Sequence, residues 1–307
     1  MVDISKKIPL VDQHDFLQHR REQEKKHFEK SRGSKDPLSS ILTVEINTTE
    51  LCNRTCVFCP RHDPKVFPNR NLHMTAFGAE TIAKRLGAKY KGKISFSGFG
   101  ENLLNPEFIE IVFQFKFWAK NAILECNTNG DKLTQSYVKD LFESGLDLLY
   151  INLYDGIHQM EHFEEIMKDV PDSKYKYRMH WSGADHGLIL NNRSGTIDWI
   201  GLEESDISSL QGKPCHYPFY KMFVDWNGDV LFCSNDWGRE HVVGNLQQQT
   251  LHDVWFSKPM TKIRKRLMKG DRSMSPCNKC SVDGSLFGKP SFDIIKDYYE
   301  NSDNRKQ

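Results

Sequence analysis

Several features are missing from this sequence. No apolar run in its 307 residues approaches the ~20 needed to span a bilayer, which excludes a transmembrane helix. The first residues, Met-Val-Asp-Ile-Ser-Lys-Lys, lack the apolar core of a secretory signal. Neither charge dominates: 42 Lys and Arg stand against 41 Asp and Glu, for a net charge of +1. No nucleic acid or other polyanion is therefore expected as a partner. Glycine-rich and low-complexity stretches are absent, apart from a polar tail from about Asn301 that is expected to be unstructured. These absences lead us to expect a globular protein of the cytoplasm. In that reducing setting its eight cysteines read as metal ligands rather than disulfides.

Seven of the eight cysteines fall into two sets. The first is Cys52-Asn-Arg-Thr-Cys56-Val-Phe-Cys59, a C-x3-C-x2-C pattern. Three thiolates so close in one loop can ligate three irons of a cubane iron–sulfur cluster and leave the fourth iron open. Electron transfer alone needs a fully ligated cluster, so an open iron is useful only where a small molecule binds it. Phe58 adds an aromatic face beside that position. The alternative reading is a zinc site or three unrelated cysteines.

Around these motifs, short β-branched segments alternate with helical ones. Strands are expected at residues 41–47, 93–97, 122–126, 148–153 and 174–181, with a sixth element near Leu188–Leu190. Helices are expected at 79–89, 106–120, 135–144 and 158–168. This alternation predicts an α/β fold, a partial (β/α)6 barrel followed by a small C-terminal β-hairpin/helix domain. The expected divisions are a charged helical extension over 1–39, the barrel over 40–210, the second domain over 211–290, and a helix and tail over 291–307. The charged segment 12–35 reads as a solvated surface helix leading into a flexible joint. Each unusual polar motif follows a strand, on the rim where βα barrels build their sites.

The C-x3-C-x2-C loop resembles the signature of the radical S-adenosylmethionine (SAM) enzymes, which cleave SAM to a 5′-deoxyadenosyl radical. The resemblance covers roughly residues 40–285. It implies that Cys52, Cys56 and Cys59 hold a [4Fe-4S] cluster that binds SAM. Ser97-Gly98-Phe99-Gly100-Glu101-Asn102 is similar to the family's Gly-Gly-Glu-Pro stretch, whose backbone and acid meet the amino group of SAM. Phe99 stands here for a Gly, and Asn102 for the Pro. Asn127-Thr128-Asn129-Gly130 is similar to a further family segment, although it reads equally as a turn. Tyr154-Asp155 and Asn192-Arg193 follow in the same way. Asp155 suits hydroxyl groups or a helix cap, and Arg193 suits a polar substrate. The expected cofactor-binding set is thus Phe58, Gly98, Gly100, Glu101, Asn127, Asn129, Asp155 and Arg193. Arg178 and His180 are weaker candidates.

The second set is Cys215, Cys233, Cys277 and Cys280, with gaps of 17, 43 and 2 residues. Four thiolates can fully ligate a second [4Fe-4S] cluster. The text between them resembles the auxiliary-cluster domains called SPASM or, in the one-cluster form, twitch. Four cysteines fit one cluster. The alternative is a four-cysteine zinc site, although Cys215 and Cys233 stand singly where a zinc ribbon has paired knuckles.

Three reactions follow from the resemblance. The first is oxidation of a carbinol on a sugar or aminocyclitol. The auxiliary cluster accepts the electron, and Arg193 or Asp236 helps to remove the proton. The second is epimerisation with Cys126 as hydrogen donor, although a lone cysteine is more often a small buried hydrophobe. The third is modification of a peptide, for which the ~40 residues ahead of the barrel are too few to form a leader-binding domain with its own core. A flavodoxin or ferredoxin is expected as reductant, and a small polar molecule as substrate.

Overall fold

The computed structural model describes residues 13–30, 36–180, 191–197 and 207–304. Five parallel strands, β1 (Thr43–Ile46), β2 (Lys93–Phe96), β3 (Ile123–Thr128), β4 (Leu148–Leu153) and β5 (Tyr175–Met179), pair in the spatial order of the chain. The helices between them, α2 (Ala76–Leu86), α3 (Phe108–Trp118), α4 (Gln135–Glu143) and α5 (Gln159–Met167), follow an N-terminal α1 (Gln13–Lys30). Helix starts obey local chemistry. The Thr75 hydroxyl caps α2 by accepting from the Gly78 N–H at 3.1 Å, and Thr134 caps α4 through the Tyr137 N–H at the same length. Each strand and each helix falls where the sequence predicts, to within a few residues. The sixth barrel element expected near Leu188–Leu190 lies outside the described residues.

Strand periodicity gives the sheet two unlike faces. In β3, Leu124 and Cys126 are fully buried in the core beneath the helices, while Glu125 and Asn127 line an interior cavity. In β4 the pattern continues: Leu149 and Ile151 join the core, and Tyr150 and Asn152 turn to the cavity. A barrel of this size normally fills its interior with branched apolar side chains. Here the interior face is polar, which leaves space for a ligand.

The hairpin expected in the second domain is not a separate unit. Its first strand, β6 (Lys221–Val224), pairs parallel with β1, Thr43 opposite Lys221 and Ile46 opposite Val224. β7 (Asp229–Leu231) and β8 (Val242–Asn245) extend the same sheet antiparallel, in the order β5-β4-β3-β2-β1-β6-β7-β8. The β6–β7 turn closes on a bond from the Gly228 N–H to the Asp225 carbonyl at 2.9 Å. Gly228 sits at φ +84°, a conformation that favours glycine.

Both ends of the chain return to the barrel's N-terminal face. α7 (Lys289–Asn304), which follows α6 (Lys258–Met268), packs on the turn at Pro37–Ser40, where the Ser291 hydroxyl donates to the Ser40 carbonyl at 2.8 Å. α1 departs from its reading as a solvated helix. Glu24 is buried, His27 bonds the Ser39 carbonyl, and both line the lower end of the barrel cavity. Among the described residues no helix is long and apolar enough to cross a membrane.

Candidate active site

The loop after β1 carries Cys52, Cys56 and Cys59 to the C-terminal rim. Asn69 holds its start from both sides. The Asn69 amide oxygen accepts from the Cys52 N–H at 2.8 Å, and its NH2 donates to the Cys52 carbonyl at 2.9 Å. Beneath the loop, Arg61 and Arg239 both reach the buried Glu50, and Arg239 also meets Asp225 at 2.6 Å. Asp225 belongs to the β6–β7 turn, so this network ties the first cysteine loop to the second half of the chain. Asn47 adds to it, donating to Asp225 at 2.7 Å and accepting from the Phe99 and Gly100 amides.

All three thiols open on one cavity of about 570 Å³ inside the barrel. Burial pushes the Cys52 thiol up to about 11, and burial with its two neighbouring cysteines pushes Cys56 up to about 12. Thiols held so far from ionisation become thiolates when a metal displaces the proton. Phe58 stacks near-parallel with Tyr154 at 6.0 Å and with His180 at 5.8 Å, which builds an aromatic wall beside them.

Most of the expected cofactor residues converge here. Phe58, Gly98, Gly100, Glu101, Asn127, Asn129 and Arg193 all line the cavity. Gly100 is demanded by backbone packing, because a Cβ there would stand 2.2 Å from the Thr49 carbonyl oxygen. The Glu101 carboxylate accepts from the Thr128 hydroxyl at 2.7 Å and the Asn129 amide at 2.8 Å, pinning the β2 loop to the β3 loop. Burial raises its pKa despite these bonds. Asn102, standing for the expected proline, accepts from the Thr48 hydroxyl at 2.8 Å inside a short 3-10 turn. Phe99, standing for a glycine, packs on Trp237 at 4.2 Å and on Phe223 at 4.5 Å. It therefore joins the rim to the second domain.

Three expected residues lie elsewhere. Asp155 does not line the cavity. It is held by Arg54 from the cysteine loop at 2.9 Å, and the same guanidinium grips Asp131 at 2.6 Å. Asp236 is fully buried, and its two carboxylate oxygens accept from the Glu240 amide at 3.0 Å and the His241 amide at 2.9 Å. It shapes the loop after Cys233 and does not line the cavity. Cys126 is fully buried on the helix side of β3, since its alternation sends it away from the barrel interior. The expected hydrogen donor thus has no access to the site.

Arg178 and His180, ranked low from the sequence, also line the cavity. Arg178 donates to the Asn127 side-chain oxygen, and its guanidinium lies 3.7 Å from the centroid of the Tyr150 ring. His180 bonds Asn152 at 2.9 Å. Burial, followed by the charges of Arg178 and Arg193, drops the His180 pKa to about 3, so its ring is neutral. The inward register of β5 was the available signal.

The second cysteine set comes together from three separate segments. Cys215, Cys233, Cys277 and Cys280 line one pocket, and burial leads the upward shifts of Cys215, Cys233 and Cys277, reinforced by the other cysteines of the set. Arg272 is buried beside them. It donates to the Lys213 and Val282 carbonyls at 3.2 and 2.9 Å, while its Nη2 has no partner among the described residues. A buried, half-satisfied guanidinium facing four thiols fits a group of net negative charge, as four thiolates around a cubane cluster provide. Gly284 completes the cradle, since a Cβ there would stand 2.3 Å from the Cys215 sulfur.

Asn192 clamps this pocket to the barrel. Its side chain donates to the Lys279 carbonyl at 2.6 Å and accepts from the Ser281 N–H at 3.0 Å. The next residues, Arg193 and Ser194, take left-handed φ values of +46° and +58°. A non-glycine residue holds that conformation only where its surroundings fix it, at about 1–2 kcal/mol each.

Comparison with known proteins agrees with this geometry. A radical SAM superfamily model matches residues 46–177, and a model of SPASM, an iron–sulfur cluster-binding domain, matches residues 215–281. That description removes the zinc alternative at the second site. The chain is 29% identical over 254 residues to the SAM-dependent 2-deoxy-scyllo-inosamine dehydrogenase of Niallia circulans, covering 80% of this chain and 96% of that protein. A probable GTP 3′,8-cyclase of Methanococcus aeolicus is 32% identical over 116 residues, 37% of either chain. A crystal structure of BtrN in complex with AdoMet and 2-DOIA aligns with a TM-score of 0.67 at 27% identity, over 79% of this chain and 94% of that one. Native anSMEcpe with bound AdoMet, at 14% identity and a TM-score of 0.53 over 86% of this chain and 97% of its own, shares the fold.

Proposed function

We propose that this chain, which carries a radical SAM domain and behind it a SPASM domain, is a dehydrogenase that oxidises one carbinol of a small polyhydroxylated ring, a sugar or aminocyclitol. One observation carries the reading beyond homology: the two cysteine sites share a wall. Tyr217 and Asn235 line both the barrel cavity and the four-cysteine pocket, and the adjacent Arg193 and Ser194 face one each.

Oxidising a carbinol to a ketone removes a hydrogen atom, a proton and an electron. When bound, the cluster at Cys52, Cys56 and Cys59 together with SAM supplies a radical that takes the hydrogen atom, and the cluster at the second set supplies an electron acceptor one wall away. The chain supplies the remainder. Gly98, Gly100 and Glu101 form the part of the rim suited to the amino group of SAM, where exposed backbone and a carboxylate meet an ammonium. Arg193 orients the substrate hydroxyl, and its positive charge favours departure of the proton. The stack of Phe58, Tyr154 and His180 walls the site from water.

Epimerisation is disfavoured because Cys126 faces the helices. A flavodoxin or ferredoxin fits as reductant, and a reducing cytoplasmic setting suits both thiolate sites. The test uses anaerobically reconstituted wild type and a Cys277→Ala/Cys280→Ala variant, given polyols that include 2-deoxy-scyllo-inosamine. 5′-Deoxyadenosine and ketone are followed together. Wild type is expected to form ketone in step with SAM cleavage, and the variant to cleave SAM while ketone falls at least ~10-fold. Equal ketone from the variant, or an epimer in its place, overturns the reading.

A further inference from the structure

Inside the barrel cavity the charges do not balance locally. Eight lysine and arginine side chains line it, against four glutamates. Most find partners. Lys93 meets Glu125 at 3.2 Å, Lys221 pairs with Glu45, Arg61 takes Glu50, and Arg54 takes Asp131 and Asp155. Arg178 and Arg193, in the middle of the cavity, have no carboxylate within ion-pair reach among the described residues. Arg178 is fixed by the Asn127 amide oxygen and the Tyr150 ring, and the only carboxylate whose charge is seen to act with it, Glu125, makes its ion pair with Lys93 instead.

Between the two arginines lies His180, and its tautomer follows from its neighbours. The Asn152 NH2 donates to the Thr128 carbonyl at 2.9 Å, which turns the Asn152 oxygen toward the ring. His180 Nε2 therefore carries the proton and donates to that oxygen. Nδ1 is left as a bare acceptor, buried and without a partner among the described residues. A buried acceptor in this state, facing a cavity, is suited to a donor from a ligand.

We infer that the substrate is a polyol bearing an oxyanion, a phosphate or a carboxylate, which Arg178 grips beside the hydroxyl that Arg193 orients, while His180 Nδ1 accepts a neighbouring hydroxyl. Guanidinium groups read either oxyanion through paired N–H donors. The inference rests on the polyol-dehydrogenase reading but is tested by binding rather than turnover, so the two can fail separately.

The experiment is calorimetric titration of the anaerobically reconstituted protein, with SAM present. Four probes are used: myo-inositol, myo-inositol 1-phosphate, D-glucuronate and D-glucosamine. At least one anionic probe is expected to bind 10-fold or more tighter than both myo-inositol and D-glucosamine. The phosphate and glucuronate arms tell the two oxyanions apart. In Arg178→Gln the preference is expected to shrink to within threefold, and in Arg178→Lys to survive in part. If myo-inositol or D-glucosamine binds as tightly as both anions, the inference is wrong, and the wild-type panel alone decides this. SAM is also titrated into Arg178→Gln. An unchanged affinity supports a substrate role, whereas a 10-fold loss assigns the arginine to the SAM carboxylate and overturns it.

Discussion

The two cysteine sites do similar chemistry with opposite construction. The first takes three thiols from one stretch of eight residues and opens them on a cavity of about 570 Å³. The second draws four thiols from three distant segments and seals them behind Arg272, Gly284 and the Asn192 clamp. The contrast separates two tasks. A cluster that must bind a small molecule needs an incomplete ligand set and an open face. A cluster that only accepts electrons needs a complete set, a compensating charge and a fixed position. The first can be encoded locally, while the second exists only once the sheet has joined β6 to β1.

Breaking the open site gives the largest effect. Cys56→Ala is expected to abolish 5′-deoxyadenosine formation while the iron of the second site stays bound. Iron content and electron paramagnetic resonance check this. Loss of both clusters would mean that the sites assemble as one unit, which the network of Glu50, Asp225 and Arg239 would then explain.

Arg272→Met probes the sealed site with all four thiols kept. It removes a buried charge together with its bonds to the Lys213 and Val282 carbonyls. A stability loss of about 3 kcal/mol is expected, read by anaerobic denaturant unfolding, along with weaker retention of iron at the second site only. If iron drains from the first site equally, the guanidinium is not specific to the sealed pocket.

The smallest effect belongs to the cysteine outside both sites. Cys126→Ala is expected to cost about 1 kcal/mol in thermal unfolding, as the loss of a small buried group does. The product is expected to be unchanged. A variant that cleaves SAM yet forms no product would return Cys126 to the chemistry.

Much of this site was legible in the sequence wherever chemistry and spacing are contiguous. Cys52–Cys59, Gly98–Glu101 and Asn127–Asn129 each follow a strand, and a βα fold must deliver such segments to one rim. Assignments failed where one side chain's direction decided the outcome. Cys126 and Asn127 are neighbours on β3, and only the pleat sends one to the core and the other to the cavity. Asp236 has the composition of a base, but two backbone amides from residues just downstream occupy its oxygens. Arg178 and His180 looked ordinary because their meaning depends on which charges lie opposite them. The N-terminal helix looked solvated because its composition is polar throughout, yet Glu24 and His27 close the cavity's lower end.

By itself the sequence determined the three-cysteine motif, the strand–helix alternation and the class of chemistry, because each is written in local spacing and hydrophobic period. Only the tertiary structure decided that the second domain's hairpin completes the barrel sheet and that the two sites share the wall of Tyr217 and Asn235. It likewise decided that the cavity carries two arginines, Arg178 and Arg193, with no ion pair among the described residues. Those are relations between residues far apart in the chain, and only strand register and the closing of the sheet bring them within reach of one another.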